Sequence, residues 1–180
     1  MGEARMTSDA PTLHYIDFEQ FLADVEEVAR QIETEEWRPD FLVGVGRGGL
    51  VPAAFLSHRL DIALLSVDHS SGEHGFAGEL LDKLAAKICG GNSILIVDDI
   101  NDSGATIAFL REAINAKSGE AARLRVAVLM NNIRSRAHAE YWGTELDREA
   151  DKRWFVFPWE ALGTRETLIG AAAEVPERLA

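Results

Sequence analysis

Ile94-Leu95-Ile96-Val97-Asp98-Asp99-Ile100-Asn101-Asp102-Ser103-Gly104-Ala105-Thr106 decides how this chain folds. Its first four residues are apolar with no polar alternation, the pattern of a strand buried on both faces of a parallel sheet. Asp98 and Asp99 end that run and a third carboxylate follows at Asp102. Ser103-Gly104-Ala105-Thr106 then opens a helical pattern carried by Ile107, Leu110 and Ile114. A strand–loop–helix unit puts its loop at the carboxyl end of the sheet, where open α/β folds hold their ligands. The N–H groups of Ser103, Gly104, Ala105 and Thr106 at a helix N-terminus, with two hydroxyls beside them, make a cradle for one phosphate group. Asp98 and Asp99 would repel that phosphate. They suit instead the diol of a sugar, as hydrogen-bond acceptors, and Mg²⁺. A phosphate cradle beside a diol acceptor fits a ribose 5-phosphate. The plainer alternative is a helix with Asp102 or Ser103 as its N-cap; a cap requires one small polar residue, not three carboxylates within positions 98–102.

Composition narrows the class. The chain has 180 residues, 47% hydrophobic and 27% charged, which suits one globular domain with a single core. Its formal net charge is −12, from 18 Lys+Arg against 30 Asp+Glu. Such acidity argues against nucleic acid or an anionic membrane as partner. It also means that a phosphate-rich ligand needs local amides and Mg²⁺ to be held. Cys89 is the only cysteine, so no intrachain disulfide forms. No charged-then-apolar leader and no bilayer-length apolar run stand out, so the expected location is cytoplasmic.

Outward from the central stretch, strands and helices alternate. Residues 1–11 read as a loose tail and 12–180 as the domain. Asp17 caps a helix over 18–35 whose stripe of Phe18, Phe21, Leu22, Val25, Val28, Ala29 and Ile32 faces the core, with Glu26, Glu27, Glu33, Glu35 and Glu36 on its solvated side. Phe41-Leu42-Val43-Gly44-Val45 is the first core strand. Gly46-Arg47-Gly48-Gly49 reads as a tight loop before a helix over 50–59; its glycines permit close backbone approach and its arginine suits phosphate oxygens. A second strand over 62–67 and a polar, Gly-rich segment over 68–77 follow. His69 and His74 in that segment lack the supporting ligands of a metal site. A helix over 79–88 stops at Gly90-Gly91. Past the central stretch come a helix over 105–117, a buried strand over 124–129, a mixed segment with Tyr141-Trp142-Gly143 packed under a turn, and a short strand over 154–157. Residues 164–180 read as a terminal helix or tail. The alternation gives α/β, a single domain with a mostly parallel central sheet flanked by helices.

The segment 97–106 resembles the phosphoribosyl diphosphate (PRPP) motif of the type I phosphoribosyltransferases. The resemblance extends to Val43-Gly44-Val45-Gly46-Arg47-Gly48-Gly49-Leu50-Val51-Pro52-Ala53 and to Trp154-Phe155-Val156-Phe157-Pro158-Trp159-Glu160, which are similar to the diphosphate loop and base-binding end of the xanthine-guanine and hypoxanthine branch. It implies a type I phosphoribosyltransferase fold with a small hood made mainly by the C-terminal segment. It implies transfer of the 5-phosphoribosyl group of PRPP to a purine, a 6-oxopurine first, with Mg²⁺ as cofactor. PRPP would be bound by Arg47, Gly48, Gly49, Asp98, Asp99, Asp102, Ser103, Gly104, Ala105 and Thr106. Asp102 would take the proton of the purine ring nitrogen, as well as or instead of capping a helix. Trp154 would stack on the base, with Phe155 and Asn132 beside it, and Asp98, Asp99 and Glu160 would attend the metal. Residues 68–77 would belong to a flap over the reacting centre. Homo-oligomers fit the resemblance too, although no stretch marks an interface.

One departure stands out. The purine branch usually carries a lysine just past the strand that here ends Val128-Leu129-Met130-Asn131-Asn132. Asn131 and Asn132 occupy its neighbourhood; their amides can donate but also accept and carry no charge, and Arg134 or Arg136 could substitute, although surface basic residues are the plainer reading of both. A transferase for another base, and a PRPP-binding regulator, therefore remain as alternatives; the net charge counts against the regulator.

Overall fold

The computed structural model describes residues 11–67 and 74–173. The tails 1–10 and 174–180 lie outside the described residues, as does 68–73, which holds His69 and most of the expected flap. Along the chain run β1 (Leu13–Tyr15), α1 (Phe18–Thr34), β2 (Phe41–Val45), α2 (Gly46–Leu60), β3 (Ala63–Val67), α3 (His74–Cys89), β4 (Ile94–Asn101), α4 (Ala105–Ser118), β5 (Leu124–Asn132), β6 (Tyr141–Leu146), β7 (Trp154–Val156) and α5 (Arg165–Ala173). Five strands form one sheet in the order β3-β2-β4-β5-β6, every pair parallel. The expected α/β sheet is therefore present, with β4 at its centre.

The apolar pattern of β4 explains why it lies there. Leu95 and Val97 point into one core with Phe21, Val25, Val28 and Ile32 of α1 and Ala53 and Leu56 of α2. Ile94 and Ile96 point into the other, with Leu81, Leu84 and Ile88 of α3 and Ile107, Leu110 and Ile114 of α4. Successive residues of a strand face opposite sides, so burial on both faces requires an unbroken apolar run. Burial falls off at Asp98, just past the end of the pairing with β2, while the pairing with β5 continues to Asn101.

α1 follows its sequence pattern at Phe21, Val25, Val28, Ala29 and Ile32, which are buried, whereas Phe18 and Leu22 of the expected stripe are exposed; Asp17 Oδ1 accepts from Gln20 N at 2.7 Å. Its acidic side does more than face water: Arg59 of α2 pairs with Glu26 at 2.9 Å and with Glu33 at 2.9 Å. β1 and β7 pair in parallel as a small hood, so one of its strands comes from each end of the chain. Ile16, Phe155 and Phe157 join the hood to the α1–α2 core.

Four expectations are corrected. The glycine stretch 46–49 is the first turn of α2, because Gly46 takes φ +55° and turns the chain directly after Val45. α3 begins at His74, within the segment assigned to the flap. β5 continues through Asn132. Tyr141 and Trp142 lie in β6, a strand and not a turn. β6 escapes a sequence reading because parallel neighbours are normally joined through a helix. Here residues 133–140 make the return, tied down by Glu140, whose N–H donates to Val126 O at 2.9 Å and whose carboxylate accepts from Val126 N at 2.7 Å.

α1 meets β6 through Asp24, which is buried; its Oδ1 accepts from Thr144 Oγ1 at 2.7 Å and from Gln20 Nε2 at 3.0 Å. Burial raises its pKa above the ordinary 3.8, partly offset by those hydrogen bonds. The folded state then binds this proton more tightly than the unfolded one, so Asp24 lowers stability as pH rises from about 4 through its raised value. Thermal unfolding of wild type and Asp24→Asn between pH 4 and 7 should show the stability difference moving steadily in the variant's favour. A difference independent of pH would show that Asp24 titrates alike in both states.

Candidate active site

The carboxyl ends of β2 and β4 and the starts of α2 and α4 meet at one cavity of about 470 Å³. Arg47, Gly48, Asp98, Asp99 and Thr106 line it, closed on the far side by Trp159, Glu160 and the α5 residues Thr167 and Leu168. Five residues expected in one site from two separate stretches are thus brought together with Glu160 of a third. Arg47 is exposed and makes no hydrogen bond or ion pair with another described residue. A guanidinium at the mouth of a cavity walled by two carboxylates suits an anionic ligand that also offers hydroxyls.

Backbone packing fixes this wall. A Cβ on Gly49 would lie 2.1 Å from Val97 O and 3.1 Å from Asp98 Cα, so α2 begins in direct contact with the β4 main chain. A Cβ on Gly48 would lie 2.4 Å from Asp99 Oδ2, so that carboxylate rests over the α2 backbone. At the other helix start, Gly104 takes φ +85° and occupies the N-cap with no side-chain cap. Neither Asp102 nor Ser103 fills that position; Ser103 Oγ accepts from Ala105 N at 3.3 Å. The loop 103–106 therefore presents a helix N-terminus whose first amides are not capped by a carboxylate, which suits a phosphate.

The metal expectation meets a limited donor set. Asp98, Asp99 and Glu160 share the cavity, but among the described residues no three His, Cys, Asp or Glu side chains form a metal-binding group. Asp98 Oδ1 accepts from Asp99 N at 3.0 Å, and Glu160 Oε2 accepts from Phe157 N at 3.0 Å, capping the turn after β7. Two carboxylates at a cavity edge suit a Mg²⁺ that keeps waters and arrives with phosphate oxygens; they do not make a cage of their own.

The base-side residues behave differently. Asn132 is buried and its amide is committed to backbone: Nδ2 donates to Asp102 O at 3.0 Å, and Oδ1 accepts from Arg134 N at 3.2 Å and Arg148 N at 3.3 Å. Expected against a base, Asn132 is instead a brace. Asn131 is likewise engaged, its Oδ1 accepting from Asn101 Nδ2 at 2.8 Å. Phe155 is buried in the hood and lines a different cavity, of about 910 Å³, between the hood, α1 and β6. Trp154 is half-buried at the head of β7; the tryptophan that lines the carboxylate cavity is Trp159, stacked on Phe157 with centroids 4.9 Å apart.

Asp102 holds the partner that sequence reading missed. Its carboxylate is 5% exposed side chain to side chain with Arg148, 10% exposed, and Arg148 Nη2 donates to Asp102 Oδ2 at 2.9 Å. Arg148 Nε reaches both carboxylate oxygens at 3.1 Å. Nothing near Arg148 in sequence marks it, because the connection 147–153 has no apolar periodicity to say which residue turns inward.

An open parallel sheet with its site outside the carboxyl ends of the central strands defines a ligand-binding α/β protein. Within that class the chain belongs to the phosphoribosyltransferase family: residues 14–162 match the phosphoribosyl transferase domain. It is 31% identical to a xanthine-guanine phosphoribosyltransferase of Cereibacter sphaeroides over 69% of this chain and 70% of the relative. It is 28% identical to the enzyme of the same name from Gluconobacter oxydans, covering 83% and 86%. The crystal structure of a purine phosphoribosyltransferase from Pyrococcus horikoshii shares the fold at TM-score 0.61 and 24% identity, over 84% of this chain and 96% of that one.

Gly48 and Gly49 give the wall its test. Gly49→Ala meets main chain that cannot step aside and should cost about 1–3 kcal/mol of stability, read by urea denaturation. Gly48→Ala meets only the Asp99 side chain and should unfold nearer to wild type. Equal losses for the two would show that α2 does not rest on β4 as described.

Proposed function

We propose that the chain transfers the 5-phosphoribosyl group of Mg-PRPP to a purine, a 6-oxopurine first, giving a nucleoside monophosphate and diphosphate as in cytoplasmic purine salvage. What supports it most is the convergence of Arg47, Asp98, Asp99 and Thr106 on one cavity beside an uncapped helix start. In this reading Ser103, Gly104, Ala105 and Thr106 hold the 5-phosphate, whose binding energy positions the ribose for reaction. Asp98 and Asp99 accept from the ribose hydroxyls. Arg47 and the backbone of Gly48 and Gly49 face the diphosphate and stabilise the charge that it gains as its bond to the ribosyl carbon breaks. Mg²⁺, carried in on the diphosphate and attended by Asp98 and Asp99, would supply further charge neutralisation there. Asp102 takes the proton that the ring nitrogen loses as it bonds to that carbon, and Trp154 offers a face to the purine.

The relatives named for xanthine and guanine favour a 6-oxopurine, whereas the commitment of Asn131 and Asn132 to structural contacts leaves the base open to another choice. Diphosphate release from PRPP with Mg²⁺, tried with hypoxanthine, guanine, xanthine, adenine, uracil and no base, tests the proposal. Release that requires a 6-oxopurine, with the nucleotide identified by mass, is the expected outcome; PRPP binding without turnover on any base would point to a regulator, and absence of PRPP binding would reject the reading. Two variants separate the roles. Thr106→Val should weaken PRPP binding by roughly 1–3 kcal/mol, the cost of an unmet contact to a charged group, read by calorimetry. Asp102→Asn should slow turnover while leaving PRPP affinity nearly unchanged; the reverse pattern would remove it from proton transfer.

A further inference from the structure

Arg148 belongs to none of the stretches that suggest phosphoribosyl transfer, yet its guanidinium is the most fully engaged in the described structure. Nε and Nη2 clamp the Asp102 carboxylate, and Nη1 donates to Arg153 O at 2.6 Å, with Asp151 O at 3.4 Å. The guanidinium carbon stands 4.9 Å from the centre of the Phe155 ring. Its backbone N–H is held by Asn132, which in turn holds the Asp102 carbonyl. Arg153 immediately precedes Trp154, so one planar group joins the carboxylate of the β4–α4 loop to the residue that sets the start of β7.

Burying a guanidinium and a carboxylate forfeits hydration that an apolar pair would not lose. An apolar pair would fill the space equally well but would not fix the direction of a carboxylate or a distance along a strand. The fork geometry of arginine does both, since its donors diverge in one plane and each nitrogen has an acceptor. We propose that Arg148 is a positioning residue that orients the Asp102 carboxylate and holds it in register with the hood strand carrying Trp154. The proton acceptor and the aromatic face of the base site are then set by one side chain. Asn132 serves the same purpose from β5 by fixing the backbone of both partners. The proposal rests on the phosphoribosyl-transfer reading for its catalytic consequence, and on the Arg148 contacts alone for the coupling of loop to hood.

Arg148→Gln and Arg148→Lys test it, with base turnover measured at saturating PRPP and PRPP affinity measured calorimetrically without base. Arg148→Gln should lower kcat by about 10- to 100-fold, the scale expected for a misplaced catalytic group, while PRPP affinity holds. Arg148→Lys keeps the charge but not the fork and should recover part of that loss. Wild-type turnover in Arg148→Gln, or a loss of PRPP affinity equal to the loss of kcat, would overturn the proposal; the second outcome is what a merely structural residue would give. If Arg148→Gln does not fold, Asp102→Asn carries the test through hydrogen exchange: amides over 147–156 should exchange faster than in wild type while those over 41–60 do not change. Unchanged exchange over 147–156 would overturn the coupling. If the wild-type chain makes no nucleotide with any base, the transfer reading fails, and the exchange experiment still decides whether Arg148 couples loop and hood.

Discussion

β4 is hydrogen-bonded to a neighbour on each side and covered by helices on each face, and the rest of the molecule is arranged around that confinement. A strand so enclosed tolerates no polar side chain until its pairing with β2 ends at Val97, so its carboxylates appear together beyond that point. The same closeness lets α2 begin against the carbonyl of Val97, which only a residue without Cβ permits. The wall made by the start of α2 and the carboxylate wall are therefore two consequences of one backbone contact.

Polar residues at the strand ends divide into two sets. Asp98 and Asp99 stay half-buried at a cavity, where a ligand can reach them. Asn101, Asn131 and Asn132 turn inward and fasten the loops: Asn101 Nδ2 holds Ala137 O at 2.8 Å as well as Asn131, and Asn101 Oδ1 accepts from Ser135 Oγ at 2.7 Å. Buried amides must be satisfied, and here they are satisfied by neighbouring main chain and side chains, which ties down the 133–140 return without a helix. The two asparagines that depart from the purine-branch pattern are accounted for by this fastening role.

The hood depends on a different kind of contact. β1 and β7 are three residues each and could not stand as an isolated pair. Their apolar residues merge with the α1–α2 core, and Arg148 ties the start of β7 to the loop after β4. Position in the hood is thereby linked to position in the loop.

Much of this was legible in sequence. The run 94–97 announced a doubly covered parallel strand, 98–106 announced carboxylates and a helix start at the carboxyl end of the sheet, and Phe21, Val25, Val28, Ala29 and Ile32 announced the core face of α1. These patterns are local: the period of burial is set by the backbone geometry of a single element, and a motif keeps its donors within a few residues. Other features were not legible. β6 has no helix before it and no apolar alternation to mark it. The start of α2 at Gly46 depends on a backbone conformation that glycine permits without requiring. Asn132 and Phe155 were assigned to a base by position in a motif, whereas their surroundings direct one to the backbone and the other into the hood. The Asp102–Arg148 pair joins residues 46 positions apart across a connection of irregular structure. Sequence by itself determined most of the core elements, though not β1 or β6, and where their chemistry lies along the chain. Only the tertiary structure decided which of those groups face a common cavity and which satisfy one another, because partners for buried charges and amides are chosen by proximity in space.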